Sequence, residues 1–443
     1  MSPEKRFAVT GNPVLHSKSP FILNSFFRAL AVDAVYTRIA ATNPLEALYL
    51  FRKLGLSGMN VTSPFKKSIM PFLDSVEDAA AIIGGVNTIV READRLRGYN
   101  TDYIGVIQSL KKQDITITGK KCVVLGAGGA GRAAVYGLLK EKGEVTLVNR
   151  TYEKAVSVGK DLGCRVEKLE MLESLLQESD IFISTLSSAV DLIPEKWLPA
   201  GLVVVDANYK QSPLALKAAA RKCLVIRGEA WLLNQAIPAF NLFFPGEPVK
   251  EMPPETVAAI TRALLKSETA KDLKNISLVG FMGSGKSLIG KKLAKKMSFS
   301  FIDTDQWIES QSGRTVAQLF AEEGESGFRD RERAALRELL PGHTGTVISC
   351  GGGMVLDERN RKILAENSVV LWLYASIKTT LGRIRKGTRP LLAGAHRGEK
   401  ARNMLNDRLP FYTRSADIII NSEKNADQVL EKIYEEICKT CKN

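Results

Sequence analysis

The chain contains few of the residues that mark several protein classes. Its 443 residues include six cysteines and three histidines, and the cysteines are scattered rather than spaced as a disulfide framework. No window holds the ~20 consecutive apolar residues that a membrane helix needs, and the first residues lack a signal-peptide core. We therefore expect a cytoplasmic protein that has no membrane partner.

The composition also lacks any low-complexity tract or internal repeat. With 45% hydrophobic and 25% charged residues, it is that of a folded globular protein, which excludes disorder and collagen. The net charge is +14, but no basic run with interleaved aromatic residues is present, so we expect no nucleic-acid partner. Small anionic ligands explain the excess of Lys and Arg equally well.

Strand-like apolar runs alternate with helical periodicity along the whole chain. This alternation predicts an α/β protein built on parallel sheets with crossover helices. The polar stretch 263–274 interrupts the pattern just before a new buried strand at Ile276–Val279. We interpret it as a linker between two parts of the chain.

A glycine-rich loop follows the apolar run Cys122–Leu125 and precedes a helical stretch over 132–140. Its pattern, Gly-x-Gly-x-x-Gly, is that of a Rossmann dinucleotide site, in which the glycines permit a tight turn and close approach of backbone to pyrophosphate. The residues of this predicted cofactor loop are Gly126, Ala127, Gly128, Gly129, Ala130 and Gly131.

The end of the next predicted strand indicates which dinucleotide binds. Enzymes that prefer NAD usually carry Asp or Glu there, and a carboxylate would repel a 2′-phosphate. The chain has Asn149, Arg150 and Thr151 instead, with Lys154 one turn later, which favours NADP(H). The alternative is an ordinary solvated helix start, since Asn and Thr are common cap residues.

Three polar clusters precede this loop, within 12–20, 60–66 and 87–102. Singly, each could be turn chemistry. Together they offer hydroxyl and amide groups suited to a small polyhydroxylated substrate. Lys66 and Asp102 add groups able to handle a proton, which the reduction of a carbonyl requires.

A second glycine-rich loop follows the strand at Ile276–Val279. Gly280-Phe-Met-Gly-Ser-Gly285-Lys286-Ser287 matches Gly-x4-Gly-Lys-Ser, in which backbone amides wrap phosphates, the Lys reaches the β- and γ-phosphates and the Ser binds Mg²⁺. We interpret 301–305 as the end of a strand whose two carboxylates, Asp303 and Asp305, share one face. One can face Mg²⁺ and the other an acceptor hydroxyl, as in phosphate transfer to an alcohol.

Residues 1–262 resemble shikimate dehydrogenase through GNPVLHSKSP, NVTSPFK, GGVNT, GYNTD, GAGGAG, NRT and GEAWLLNQA. The resemblance implies that Lys66 and Asp102 are catalytic and that Gly228 contacts the cofactor. The substrate-binding residues it implies are Ser17, Ser19, Thr62, Asn87, Tyr209 and Gln235. Two departures border the nicotinamide in this family: Ser184-Thr-Leu-Ser-Ser188, which lacks the usual Gly-Met, and Trp231, where Met is common.

Residues 275–443 resemble shikimate kinase through GFMGSGKS, FIDTD, GESGFRDRE, the Cys-Gly-Gly-Gly run, TRPLL and NDRLPFY. The resemblance implies catalytic roles for Asp305, Lys286 and Arg389, the last on a mobile lid around 386–400. It implies substrate binding by Arg329, Gly351, Gly352, Gly353 and Arg408. The ATP and Mg²⁺ contacts it implies are Gly283, Ser284, Gly285, Lys286, Ser287, Asp303 and Arg383.

The two resemblances together predict an α/β substrate lobe over 1–103, completed by 236–262, and a Rossmann NADP lobe over 104–235. The linker 263–274 then leads to a P-loop, nucleoside monophosphate kinase-like, three-layer α/β/α domain over 275–443. We expect a bifunctional enzyme of aromatic amino acid biosynthesis, with NADP(H), ATP and Mg²⁺ as cofactors and 3-dehydroshikimate and shikimate as small-molecule substrates.

Several alternatives stay open from the sequence. The dehydrogenase half could act on quinate or with NAD, or one half could be an inactive regulatory domain. The retention of Lys66, Asp102, Lys286 and Asp305 argues against the second possibility. An oligomer is possible.

Overall fold

The computed structural model describes residues 4–186, 190–208, 212–246, 249, 252–266, 275–384, 392 and 396–441. Within these residues, seventeen strands alternate with helices, as the hydrophobic pattern predicts. The strands are β1 (Lys5–Gly11), β2 (Ala34–Ala40), β3 (Gly58–Val61), β4 (Ser75–Val76), β5 (Thr88–Glu92), β6 (Arg95–Tyr99), β7 (Lys121–Leu125), β8 (Glu144–Val148), β9 (Arg165–Glu167), β10 (Ile181–Ser184), β11 (Val203–Asp206), β12 (Leu224–Arg227), β13 (Asn275–Val279), β14 (Ser300–Asp303), β15 (Thr346–Ser349), β16 (Val369–Tyr374) and β17 (Ile418–Asn421).

The α-helices lie between these strands in the order typical of α/β proteins. They are α1 (Ser19–Ala29), α2 (Pro44–Lys53), α3 (Phe65–Ser68), α4 (Asp78–Ile83), α5 (Asp102–Lys111), α6 (Gly129–Lys140), α7 (Tyr152–Leu162), α8 (Leu172–Gln177), α9 (Pro213–Ala220), α10 (Gly228–Phe243), α11 (Pro254–Lys266), α12 (Lys286–Met297), α13 (Thr304–Ser312), α14 (Val316–Leu339), α15 (Glu358–Asn367), α16 (Ile377–Arg383), α17 (Arg397–Ser415) and α18 (Ala426–Cys441). Among the described residues, no helix is long and apolar enough to cross a membrane.

The chain divides into two compact units. The first comprises residues 1–20, 33–56 and 269–443, and the second comprises 21–32 and 57–268. The predicted substrate lobe over 1–103 is therefore shared between the units, because β1, β2 and α2 pack with the C-terminal segment. The functional boundaries at 103, 235, 262 and 274 stay predictions. Helix α11 extends to Lys266, and residues 267–274 of the predicted linker lie outside the described residues.

The first unit is built on parallel strands in the order β14-β15-β13-β16-β17-β2-β1. The strands of the C-terminal segment continue directly into those of the N-terminal one, since β17 pairs with β2 through Ile419 opposite Ile39 and Ile420 opposite Ala40. Edge strands present unpaired backbone groups that must be satisfied or covered. Pairing between β17 and β2 gives hydrogen-bond partners to the backbone groups that each strand would otherwise leave exposed.

The described residues of the second unit contain two sets of paired strands. One set is the run β3-β5-β6-β4, which is part of a longer sheet, and the other is a complete parallel Rossmann sheet with the order β12-β11-β10-β7-β8-β9. Strand β7 is buried on both faces: Cys122 and Val124 pack into one apolar cluster, and Val123 and Leu125 pack into another. This explains why the strand appears in the sequence as a continuous apolar run.

Candidate active sites

The first candidate site centres on Lys66 and Asp102. Lys66 lies on α3, directly after β3, and Asp102 opens α5, directly after β6. Lys66 Nζ lies 2.6 Å from Asp102 Oδ2, and the two side chains are 21% and 12% exposed. The sequence places these residues 36 positions apart, and the fold brings them into a partly buried ion pair in which the ammonium remains accessible to a ligand.

Amide and hydroxyl groups surround this pair. Asn87 Nδ2 donates to Asp102 Oδ1 at 2.9 Å, and Asn87 Oδ1 accepts from the Thr101 backbone N–H at 2.8 Å. Gln235 Oε1 accepts from Thr101 Oγ1 at 3.1 Å and from Asn87 Nδ2 at 3.3 Å. The predicted residues Asn87 and Gln235 therefore belong to one hydrogen-bond network with Lys66 and Asp102. Thr101 joins them, although the sequence analysis gave it no role.

Trp231 also contacts the catalytic segment. Its indole Nε1 donates to the Asp102 backbone carbonyl at 2.8 Å. A Cβ on Gly105 would lie 2.8 Å from Trp231 Cδ1, so the glycine permits α10 to approach α5 closely. The departure from the usual Met thus gives Asp102 a backbone partner that a thioether could not supply.

The remaining predicted substrate residues lie on separate loops. The hydroxyls of Ser17 and Ser19 are buried and lie 3.3 Å apart in the first unit. Thr62 is half-buried after β3. Tyr209 lies outside the described residues, as do Ser187 and Ser188 of the second departure.

The predicted dinucleotide loop joins β7 to α6. Gly126 has a φ of +111°, and a Cβ on Gly131 would lie 1.8 Å from the Gly126 carbonyl oxygen. Neither position can therefore hold a side chain without displacing backbone. Helix α6 begins at Gly129, preceded by Gly128 in an extended conformation. The loop thus presents a helix N-terminus, which favours a phosphate.

The end of β8 lies beside this loop. Asn149 Oδ1 accepts from the Ala127 backbone N–H at 3.1 Å, which ties the strand end to the turn. Arg150, Thr151 and Lys154 are exposed there, with no carboxylate at 149–151. A guanidinium, a hydroxyl and an ammonium group are therefore exposed at the position where a ribose 2′-phosphate would bind. Gly228 is closely packed, since a Cβ would lie 2.4 Å from the Ala207 carbonyl oxygen.

The second candidate site begins with the loop between β13 and α12. Gly280, Gly283 and Gly285 all have positive φ, at +145°, +76° and +94°, so the backbone turns as a phosphate loop must. Lys286 Nζ donates to the carbonyls of Gly280 and Phe281 at 2.9 and 3.1 Å. Ser284 is fully buried within the loop.

The donor set beside this loop fits Mg²⁺. Ser287 Oγ donates to Asp303 Oδ2 at 2.6 Å, and Ser349 Oγ lies 3.3 Å from Ser287 Oγ. Magnesium is usually bound by one or two such oxygens together with waters and phosphates rather than by a full protein cage. Arg383, predicted at the adenine, donates through Nη2 to the Ser422 carbonyl at 2.8 Å. Arg389 lies outside the described residues.

The strand predicted over 301–305 ends at Asp303, and this part of the prediction is wrong. Asp303 caps α13 by accepting from the Asp305 backbone N–H at 3.2 Å, and Asp305 lies in the first helical turn. The two carboxylates are therefore separated by a cap geometry and not by strand alternation. Asp303 faces Ser287, and Asp305 faces Gly351.

The three glycines after β15 allow charged groups to converge. A Cβ on Gly351 would lie 2.7 Å from both Asp305 Oδ1 and Glu332 Oε1, and a Cβ on Gly353 would lie 2.2 Å from Arg329 Nη1. The Gly351 backbone N–H donates to Thr304 Oγ1 at 2.9 Å. Alanine at either glycine would therefore displace a charged group of the site.

Two arginines complete this cluster. Arg329 Nη1 donates to Glu332 Oε2 at 2.5 Å, and its Nη2 donates to Glu325 Oε1 at 2.8 Å. Arg408 is 7% exposed and donates to the Gly352 carbonyl at 3.2 Å, where Tyr412 Oη also donates at 2.6 Å. Guanidinium groups are suited to bind a carboxylate, which is the role predicted for Arg329 and Arg408.

Glu332 was missed in the predictions from the sequence. Burial raises the pKa of Glu332 to about 7, against the opposing effect of the Arg329 guanidinium. Its position three residues after Arg329, on the same side of a helix, was the available signal. Tyr412 was missed too, and burial raises its pKa to about 12.

Three protein families match the chain. The shikimate dehydrogenase substrate binding domain matches residues 9–89, the shikimate / quinate 5-dehydrogenase family matches 109–206, and the shikimate kinase family matches 282–439. A relative named shikimate dehydrogenase (NADP(+)) from Aquifex aeolicus is 39% identical over 245 residues, which is 54% of this chain and 90% of the relative. The chain belongs to the shikimate dehydrogenase family.

Other relatives agree with this assignment. A shikimate dehydrogenase (NADP(+)) from Methanosarcina acetivorans is 34% identical and matches 58% of this chain and 99% of the relative. The crystal structure of the Aquifex aeolicus shikimate dehydrogenase has a TM-score of 0.55 and 36% identity over 59% of this chain and 99% of that one. The Thermus thermophilus enzyme in complex with NADP(H) and shikimate has a TM-score of 0.53 and 29% identity, over 59% of this chain and 100% of that one.

These findings confirm the predicted fusion. The chain carries a shikimate dehydrogenase followed by a shikimate kinase domain, both of α/β fold, and is a bifunctional enzyme of the shikimate pathway. NADP is the dehydrogenase cofactor, and the kinase domain implies ATP with Mg²⁺. The residue roles stay predictions.

Proposed function

We propose that the N-terminal half reduces 3-dehydroshikimate to shikimate and that the C-terminal half phosphorylates the shikimate 3-hydroxyl. The observation that carries the first step is the ion pair between Lys66 Nζ and Asp102 Oδ2 at 2.6 Å. NADPH supplies the hydride when bound. Lys66 donates a proton to the carbonyl oxygen as negative charge develops on it, and Asp102 holds the ammonium in place.

The surrounding network orients this pair. Asn87 fixes the second carboxylate oxygen of Asp102, and Trp231 fixes its backbone carbonyl. Asp102 can therefore orient Lys66 and accept a hydrogen bond from a substrate hydroxyl without changing its own position. We assign the substrate carboxylate to the Ser17 and Ser19 hydroxyls, which match the oxygens of a carboxylate as hydrogen-bond donors.

In the kinase half, ATP with Mg²⁺ supplies the phosphoryl group. Ser287 and Asp303 would hold the metal, and Lys286 would neutralise phosphate charge. Asp305 accepts the proton of the attacking hydroxyl, and Arg329 and Arg408 bind the shikimate carboxylate. The close approach of these groups around Gly351–Gly353 supports this arrangement.

One assay tests both steps. Purified protein is mixed with 3-dehydroshikimate and NADPH, NADPH absorbance is followed, and MgATP is then added while ADP is measured. We expect NADPH loss in the first phase and ADP formation only after shikimate has accumulated. Parallel reactions with NADH, and with quinate and NADP⁺ in the oxidative direction, test the alternative specificities. Absence of both products would overturn the proposal.

The natural partners are then small molecules: 3-dehydroshikimate, shikimate and the two nucleotides. The cytoplasmic location and a possible oligomer remain predictions from the sequence. Size-exclusion chromatography with light scattering measures the oligomeric state directly.

A further inference from the structure

The loop between β1 and α1 carries Ser17 and Ser19, to which the proposed function assigns the dehydrogenase substrate carboxylate. This loop, residues 12–19, belongs to the same compact unit as the kinase segment. It contains no helix or strand of its own before Ser19, so other groups must satisfy and position its backbone.

The last helix of the kinase, α18, supplies those groups. Glu436 Oε2 accepts from the backbone N–H groups of Val14 at 2.7 Å and of Leu15 at 3.0 Å. Lys432 Nζ donates to Asn12 Oδ1 at 2.8 Å. The acceptor and the donor come from residues more than 400 positions away in the sequence, and both contacts fall on the loop that precedes Ser17.

The two kinase residues are themselves buried and paired. Lys432 Nζ lies 2.8 Å from Glu436 Oε1, and the side chains are 7% and 1% exposed. A buried ion pair is weak evidence for stability, because removing two charges from water costs about as much as their attraction returns. Its directional hydrogen bonds do fix a geometry, since a carboxylate that accepts two adjacent backbone N–H groups defines where that backbone lies.

A second contact anchors the same loop further along. Arg38 on β2 donates to the Ser17 carbonyl through Nη2 at 2.6 Å and through Nε at 3.1 Å. Its Nη1 donates to the Asp417 carbonyl at 3.0 Å, just before β17. One guanidinium therefore links Ser17 to the kinase strand that pairs with β2. The kinase helix α18 therefore contacts the first part of the loop directly, and Arg38 connects the Ser17 end to the Asp417 carbonyl of the kinase segment.

We propose that Glu436 is a positioning residue for the dehydrogenase, so that the kinase domain holds the dehydrogenase substrate loop in its binding geometry. This inference rests on the proposed role of Ser17 and Ser19. It gives the fusion a function beyond tethering, because the second enzyme completes the scaffold of the first. It also makes a directional prediction: loss of the Glu436 carboxylate alters dehydrogenase substrate binding while leaving phosphoryl transfer intact.

The test uses the full chain with Glu436→Ala, which removes the shared acceptor of the Val14 and Leu15 N–H groups. We expect the KM for shikimate in NADP⁺ reduction to rise about tenfold, as the loss of two charge-assisted hydrogen bonds allows. The KM for NADP⁺ and the kinase kcat should stay within about twofold of wild type, because neither involves the 12–19 loop.

Glu431→Ala is the matched control. Glu431 lies on the same helix but pairs with Lys296 of α12, so its loss removes a carboxylate without touching the loop. We expect no change in the KM for shikimate in dehydrogenation. Thermal unfolding of both variants shows whether a loss of fold contributes.

The outcomes separate the possibilities. An unchanged KM for shikimate in a folded Glu436→Ala variant would overturn the inference, as would equal losses in both activities. If this variant does not fold, Glu436→Gln decides, since it keeps the volume and one acceptor oxygen, and we expect a rise of about threefold. A wild-type protein without NADP⁺-dependent shikimate oxidation would overturn the proposed function and this inference together.

Discussion

The two active sites balance charge in different ways. Around Lys66 and Asp102, a single ion pair lies among amide and hydroxyl groups. In the kinase site, two arginines meet two carboxylates, and burial raises the pKa of one of them, Glu332, to about 7. Both sites are assigned the same ring compound, so the difference reflects the reactions rather than the substrate.

The chemistry explains this contrast. Hydride transfer develops charge at one carbonyl oxygen, and one positioned cation suffices to protonate it. Phosphoryl transfer brings a highly anionic nucleotide next to an anionic acceptor, so several cations are needed. Several buried cations require carboxylates beside them to balance their charge. One of these carboxylates is Glu332, whose protonation changes near neutral pH.

Loss of the dehydrogenase cation should produce the largest effect. We expect Lys66→Ala to lower the rate of NADPH oxidation by about 10²–10⁴-fold, because the proton donor is removed. The kinase rate should be unchanged. Lys67→Ala is the control, since this neighbouring lysine is exposed. Rapid NADPH oxidation by Lys66→Ala, measured by absorbance, would contradict the assigned role.

The reciprocal change affects the kinase. We expect Lys286→Ala to lower ADP formation by about 10²–10³-fold, because a fixed positive charge at the phosphates is lost. NADPH oxidation should persist, and Lys295→Ala on the exposed side of α12 serves as the control. If either lysine variant lost both activities, the two sites would not be chemically independent.

A smaller effect should come from Gly353→Ala. The added Cβ would lie 2.2 Å from Arg329 Nη1, so the guanidinium must move away from the carboxylate position. We expect the KM for shikimate in the kinase reaction to rise at least about tenfold with little change in the KM for ATP. Gly382→Ala, where a Cβ meets open space, should leave the shikimate KM unchanged. A normal KM in Gly353→Ala would argue against Arg329 as the carboxylate ligand.

The smallest effect concerns pH. Burial places the pKa of Glu332 in the folded protein at about 7, above its ordinary value of 4.5. The folded protein therefore retains a proton that the unfolded chain releases between these values. The contribution of this group to stability is therefore present below about pH 4.5 and is lost as the pH rises to about 7.

We expect Glu332→Gln to remove this pH dependence from the free energy of unfolding. The difference from wild type is measured by denaturant titration at several pH values between 4 and 8. Glu325→Gln, at an exposed partner of Arg329, is the control and should leave the dependence in place. If the free energy of unfolding changed equally with pH in wild type and Glu332→Gln, Glu332 would not be the group that titrates in this range.

Short-range features were predictable from the sequence. Both nucleotide loops are contiguous segments in which glycine conformations and the flanking strand and helix are set by neighbouring residues, and the structure has the strand, turn and helix in the expected order. The strand over 301–305 was predicted too long, because the capping tendency of Asp303 overrode the apparent alternation. Glu332 was missed because it faces Gly351, which lies on a different element of the chain.

The sequence by itself determined the two enzyme classes, their order and their cofactors, because each resides in motifs whose chemistry is local. Only the tertiary structure decided that β17 of the kinase pairs with β2 of the substrate lobe and that Glu436 holds the loop before Ser17. The physical reason is that edge-strand pairing and buried ion pairs join residues hundreds of positions apart. No local pattern encodes which partner satisfies a backbone N–H group across that distance.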